Sequence, residues 1–148
     1  MPVIRTCTNC GRNNRVPAKH LADNGKCGAC KATLPAVNEP LEVDPESFDE
    51  IVRDSRVPVL ADFWAAWCGP CRMAAPEVAR AAADMAGRAI VVKVDTEHYP
   101  ELAGRFKVQG IPNFIVFSDG GPVMQQAGVV GHEELKSWLR SAEQHVAR

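Results

Sequence analysis

All six cysteines of this chain fall in Cys-x-x-Cys pairs: Cys7/Cys10, Cys27/Cys30 and Cys68/Cys71. The spacing is the same three times, but the surroundings differ. The first two pairs sit among Asn, Gly and Lys and are separated by sixteen residues. The third follows a nearly continuous apolar run, Val57 to Trp64, and precedes an Ala-rich helical stretch. In a reducing compartment such pairs read as metal or catalytic sites rather than structural disulfides. The upstream four are expected to form a metal cage, and the downstream two a thiol–disulfide switch.

Cys7-x2-Cys10-x16-Cys27-x2-Cys30 has the spacing of a closed four-thiolate Zn²⁺ site, two knuckles with two ligands each. Residues 1–33 hold few apolar positions (Val3, Ile4, Leu21) and no period long enough to bury a core. A segment that small needs a staple, and a bound metal supplies folding free energy. Gly11 and Gly28 lie close behind ligands and suit the backbone turns of knuckles. The same four cysteines could also form two disulfides, an iron centre or a second redox centre. His20 reads as an exposed loop residue, because four cysteines already complete a tetrahedron. His98, His132 and His145 read as surface residues. Leu34 to Pro40, with two prolines and no period, reads as a linker.

Beyond Leu41 the pattern is that of a folded domain. Asp44 and Pro45 suit the N-cap and first position of a helix over Phe48, Ile51 and Val52 that ends near Ser55. Val57 to Trp64 and Ala89 to Asp95 read as strands covered on both faces. A helix follows Cys71 to Met85, interrupted by Pro76, and another spans Pro100 to Phe106. Asn113 to Ser118 and Pro122 to Gly128 flank Asp119-Gly120-Gly121, a hairpin signal. Leu135, Trp138 and Leu139 mark one face of a closing helix. The order, βαβαβ then ββα, predicts an α/β fold with a mixed sheet and helices on both faces. It is preceded by the small metal-binding module.

Cys68 sits where a buried strand gives way to a helix, so its sulfur faces unpaired N–H groups and the positive end of the helix dipole. That setting favours the thiolate, the form that attacks disulfides. Gly69 and Pro70 fit the helix entry. Cys71 lies one turn on, with Cβ atoms about 5–6 Å apart in a regular helix, so a small adjustment closes a disulfide. Cys68 would attack a target disulfide and Cys71 would resolve the mixed disulfide, leaving Cys68–Cys71 oxidised.

Trp64-Ala65-Ala66-Trp67-Cys68-Gly69-Pro70-Cys71, with Asp62 before it and Gly110-Ile111-Pro112 after it, resembles the thioredoxin family from about residue 41 to the end. The N-terminal module makes the whole similar to the bacterial thioredoxin-2 class. The resemblance implies a thioredoxin-like fold with a zinc-ribbon-like module at residues 1–36, a linker to about 40 and a catalytic domain at 41–148. It implies a cis-proline at Pro112, with the backbone of Ile111 pairing to an extended substrate. Trp67, Gly69, Pro70, Gly110 and Gly128 would share that substrate-facing surface. Asp62 matches the family's buried carboxylate, moving a proton to or from Cys71, and Lys93 matches the lysine beside it. The plainer alternative for Asp62 and Lys93 is an ion pair at the sheet's edge. Asn113 departs from the threonine common after the cis-proline, which bears on substrate preference.

These features predict a protein-disulfide reductase with one Zn²⁺ and a redox-active Cys68–Cys71 disulfide; the family resemblance implies that an NADPH-dependent thioredoxin reductase recharges it. Met1 to Cys7 has no apolar h-region and no transmembrane run appears, so a cytoplasmic site without membrane contact is expected. Residues 1–38 carry six basic side chains against Asp23 alone, within a net charge of −1. Four zinc-bound thiolates would offset part of that excess, which argues against nucleic acid as a partner. Nothing demands more than a monomer. The rival readings are a net oxidase or isomerase of the same fold and a zinc-dependent, redox-regulated chaperone or binding module. Oxidisable zinc thiolates would also allow the module to sense oxidants.

Overall fold

The computed structural model describes residues 3–146, and side chains as far as residue 143. The N-terminal segment is two small antiparallel hairpins. β1 (Val3–Thr6) pairs with β2 (Asn13–Val16), and β3 (Gly25–Lys26) with β4 (Thr33–Leu34). A 3-10 turn over Ala18–His20 links them.

A five-stranded sheet follows. Its strands are β5 (Leu41–Glu42), β6 (Val59–Trp64), β7 (Ile90–Asp95), β8 (Asn113–Ser118) and β9 (Gly121–Ala127), in the spatial order β5-β7-β6-β8-β9. The first three are parallel, and β8 and β9 are antiparallel additions. The mixed sheet is the one the element order predicts. Asp119 and Gly120, both at positive φ, make the turn between β8 and β9, the two-residue geometry an Asp-Gly pair favours.

Side-chain alternation on the central strands divides the interior into two layers. Val59, Ala61 and Phe63 of β6 pack with Val92, Val94, Ile115 and Phe117 under α1 (Pro45–Asp54) and α3 (Pro100–Arg105). Phe48, Phe63, Phe106 and Phe117 meet there at tilted or edge-on angles, centroids 5.3–6.5 Å apart. On the opposite face Leu60, Val91, Phe114 and Val116 pack against Ala74, Val78 and Ala81 of α2 (Gly69–Asp84) and Leu135 and Leu139 of α4 (His132–Val146). Asp44 caps α1 by accepting the Ser47 N–H at 2.7 Å, as its position predicts. Pro76 lies inside α2 without ending it.

The N-terminal segment is not a free appendage. Leu21 is fully buried, and with Ala18 and Val37 it joins the layer under α1. Val37 N–H donates to the Leu21 carbonyl at 2.9 Å. The stretch expected as a linker is therefore partly packed: Leu34 lies in β4 and Val37 in the core. A segment without a core of its own uses that of its neighbour.

Candidate active site and candidate metal centre

Cys68 is the N-cap of α2, and its sulfur accepts the Cys71 N–H at 3.1 Å. The two residues form a disulfide with Cα atoms 5.2 Å apart. When the bond is reduced, the same N–H and the helix N-terminus stabilise a Cys68 thiolate. The ends of the approach loop are fixed: the Ala66 carbonyl accepts from the Arg72 guanidinium at 2.9 Å, and the Trp64 carbonyl accepts from Thr96.

The Ile111–Pro112 bond is cis, and the Ile111 carbonyl oxygen stands 3.7 Å from the Cys68 sulfur. Gly128 N–H donates to the Pro112 carbonyl at 2.8 Å, which brings Gly128 beside the same loop. A Cβ added at Gly69, Gly110 or Gly128 would meet nothing within 4 Å, so the surface around the sulfurs is open at these positions. Trp67, 65% exposed, borders it, its indole N–H donating to Glu97 at 2.5 Å.

Behind the disulfide, Asp62 is only 2% exposed and its Oδ1 has no hydrogen-bond partner among the described residues. Asp62 lies on the face of β6 that α2 covers, since Leu60, two residues earlier, packs on α2. Burial pushes the Asp62 carboxyl up to about 7, opposed by the Lys93 charge and reinforced by Glu42. Lys93 pairs with Asp62 in the sheet register, its ammonium 4.6 Å from the Trp64 ring centroid.

The four upstream sulfurs converge, all within 4.8 Å of one another. Cys7 and Cys30 sulfurs lie 3.7 Å apart, and those of Cys10 and Cys27 3.6 Å apart. A Zn–S bond of about 2.3 Å implies tetrahedral sulfur–sulfur edges of about 3.8 Å, so the cage fits that ion. N–H groups reach the sulfurs of Cys27 and Cys30, whereas at Cys10 the Arg12 backbone N–H is outweighed by the neighbouring sulfurs, which hold that thiol up at about 11. Backbone N–H groups of Cys30 and Ala29, with Asn14 Nδ2, bring Cys27 down to about 6. Asn9 Nδ2, 3.4 Å from the Cys30 sulfur, lowers that thiol too.

Comparison with known proteins decides the family. The Thioredoxin family model matches residues 39–141, and the model described as Thioredoxin 2, N-terminal, matches residues 6–32. Thioredoxin C-3 of Corynebacterium nephridii is 38% identical, with 93% of each chain covered. The chain belongs to the thioredoxin family. The bifunctional thioredoxin reductase/thioredoxin of Mycobacterium leprae is 42% identical over 64% of this chain and 21% of its own length. A mutant thioredoxin from Halobacterium salinarum superposes with a TM-score of 0.66 at 36% identity, covering 72% of this chain and 92% of that one. Membership and the Cys68–Cys71 pair make this thioredoxin a thiol–disulfide oxidoreductase. Among the described residues, no helix is long and apolar enough to cross a membrane.

Several residues behave otherwise than the sequence predicts. Asn113 is buried, its Nδ2 donating to the Gly110 carbonyl at 3.2 Å and its Oδ1 accepting from Gln125 Nε2 at 3.1 Å. It ties the Gly110 carbonyl to Gln125 of β9. Gly28 has no positive φ; the left-handed position of the second knuckle is Lys31, at +66°, matching Gly11 at +80°. His132 is half-buried, with Glu77 Oε1 accepting its backbone N–H at 2.9 Å and 2.8 Å from its ring Nδ1. His20 is exposed as expected and pairs with Asp23. His145 lies outside the described side chains. Sequence reading passed over Glu42 and Glu97, because nothing in the local pattern shows which strand or loop each will face.

Proposed function

We propose that this thioredoxin reduces protein disulfides in the cytoplasm, drawing electrons from an NADPH-dependent thioredoxin reductase. The observation that carries the reading is the Cys68–Cys71 disulfide at the N-terminus of α2, with the Ile111 carbonyl beside Cys68. In the reduced protein the Cys68 thiolate attacks one sulfur of the target disulfide, forming the mixed disulfide and releasing the other sulfur as thiolate. Cys71 then loses its proton to the Asp62 carboxylate through water and attacks Cys68. The second target sulfur leaves, and two electrons have passed to the target. An Asp62 carboxyl that titrates at about 7 suits that exchange near neutrality.

The target segment adds as an extended strand along the Ile111 backbone. Gly69, Pro70, Gly110, Gly128 and the exposed Trp67 form the rest of its seat. Openness at Gly69 and Gly110 supports this, because a side chain there would obstruct a partner and not the protein itself; Gly128, at φ +100°, is held to glycine by its backbone. Lys93 moderates the Asp62 charge. Cys7, Cys10, Cys27 and Cys30 hold one Zn²⁺, which supplies folding free energy to residues 1–36; the catalytic domain begins near residue 41. The reductase of M. leprae fused to a thioredoxin relative of this chain supports the same kind of electron donor here.

The test is NADPH-coupled insulin reduction with a thioredoxin reductase. Wild-type protein turns over and Cys68→Ser does not. A wild-type protein that stays inactive, while its Cys68–Cys71 bond is reducible by dithiothreitol, overturns the reading.

A further inference from the structure

A row of charge crosses three neighbouring strands of the sheet. In register, Lys93 on β7 lies opposite Asp62 on β6 and opposite Glu42 on β5. Leu41 and Val43, flanking Glu42, pack in the layer under α1, so Glu42 belongs to the other face, as do Asp62 and Lys93. Exposure grades along the row. Asp62 is buried, Lys93 half-buried, and Glu42 exposed on the edge strand. One lysine thus stands in register between two carboxylates, an inner one on the face that α2 covers and an outer one at the rim, its ammonium over the Trp64 ring and not ion-paired to either among the described residues. The inner end is short of partners: Asp62 Oδ1 is buried without a hydrogen bond among the described residues.

We propose that Glu42 is a positioning residue for proton transfer at Asp62: from the sheet edge it draws the Lys93 ammonium outward and limits how much of that charge reaches the buried carboxylate. The proposal rests on the reading of Asp62 as the group that takes the Cys71 proton. Its physical content is a competition. A long, flexible lysine stem lets the ammonium move between the two carboxylates. While Glu42 is ionised the ammonium stays shared, and Asp62 retains its proton to near neutrality. Once Glu42 is neutral, the ammonium turns inward and favours the Asp62 carboxylate.

The surrounding charges agree with this direction. The Asp62 carboxyl is pushed up by burial, lowered by Lys93 and raised by Glu42. Glu42 keeps a solvent-exposed face, but neighbouring atoms shield part of its carboxyl and raise it, while Lys93 and the Trp64 indole lower it and Asp95 raises it. Asp44, Asp95 and His98 line the cleft beside Glu42 at the rim. From β8 the residue opposite Asp62 is the uncharged Phe114, and from α2 it is the Cys68–Cys71 region that covers this face.

The experiment is a carboxyl-carbon NMR titration of Asp62 in the disulfide form, in wild type, Glu42→Gln, Lys93→Met and the double variant. Glu42→Gln lowers the Asp62 midpoint by about half a pH unit or more. In the Lys93→Met background the same change has little further effect. The rising limb of the pH profile for insulin reduction shifts to lower pH with the midpoint. A midpoint unmoved by Glu42→Gln, or moved equally with Lys93 absent, overturns the role of Glu42 and leaves Asp62 as the proton acceptor. A midpoint that moves while the pH profile stays still overturns the proton-transfer role of Asp62, and the role of Glu42 with it. Glu42 is an exposed edge residue, so its isosteric amide leaves the fold intact.

Discussion

The two cysteine sites use one spacing to opposite ends. In the ribbon each Cys-x-x-Cys closes a hairpin. Cys7 N–H donates to the Arg12 carbonyl and Gly11 N–H to the Cys7 carbonyl; Cys27, Ala32 and Lys31 repeat the pattern with the same distances to within 0.1 Å. The chain then turns back through a left-handed residue, Gly11 or Lys31, and each pair offers its sulfurs to the other pair. At Cys68/Cys71 the chain instead runs on as helix through Arg72 to Asp84, and the two sulfurs face each other. The residue after the second cysteine marks the difference, left-handed at Gly11 and Lys31 and helical at Arg72. The stabilising forces differ accordingly. Around the cage, among the described residues, the apolar cluster with Cys7 and Cys27 holds just Leu34 and the half-buried Ala32, whereas the disulfide rests on a sheet with an apolar layer on each face.

If that contrast is right, losing the metal undoes one site and spares the other. Cys27→Ser removes a ligand from a site of the kind worth about 10–16 kcal/mol. The expected result is loss of the bound zinc and of hydrogen-exchange protection in β1 to β4, with insulin reduction within about twofold of wild type. Metal content and exchange are read by mass spectrometry. Turnover that disappears together with the metal would show that the two sites work as one.

The next largest effect sharpens the contrast from the catalytic side. The folded pKa of Asp62, about 7, lies above the ordinary 3.8, so the native state binds the proton more tightly than the unfolded chain. The stabilisation is complete below pH 4 and is lost as pH rises through 7. Relative to wild type, Asp62→Asn is therefore expected to gain about 4 kcal/mol above pH 8 and almost nothing at pH 4. Urea unfolding at both pH values measures this, and equal gains at the two would refute it. A buried carboxylate here lowers the stability of the domain once it ionises.

The smallest effect concerns the equivalence of the knuckles. Lys31 occupies the left-handed conformation that glycine adopts freely at Gly11. Replacing it with glycine relieves strain worth about 1 kcal/mol, tightening zinc about fivefold in a competition titration. Weaker binding by Lys31→Gly would show that the two turns are not equivalent.

Legibility in the sequence followed the range of the interaction. Asp44 and Pro45 announce α1, and the apolar runs announce β6 and β7, because capping and burial on both faces act within one element. Both cysteine sites were visible for the same reason, since each pair is held by its own turn. What escaped notice depends on which distant element arrives alongside. β5 has two residues and gains meaning only from its pairing with β7; Glu42 meets Lys93 through that pairing. Asn113 turns inward because Gln125 of the next strand and the Gly110 carbonyl receive it. His132 is bound by Glu77 of α2, fifty-five residues away.

Leu21 gives the molecule a particular order of exposure during synthesis. It leaves the ribosome within a ribbon whose hairpins can close locally, while Phe48, Ile51 and Phe63, of the core layer it joins, have yet to emerge. Until they emerge, the nascent ribbon displays an apolar contact with nothing to cover it. The converse holds for a chain trimmed at its N-terminus. Without Ala18, Leu21 and Val37, the underside of α1 is left bare, and the seam that joins ribbon to domain becomes a patch on which two trimmed copies can stick together.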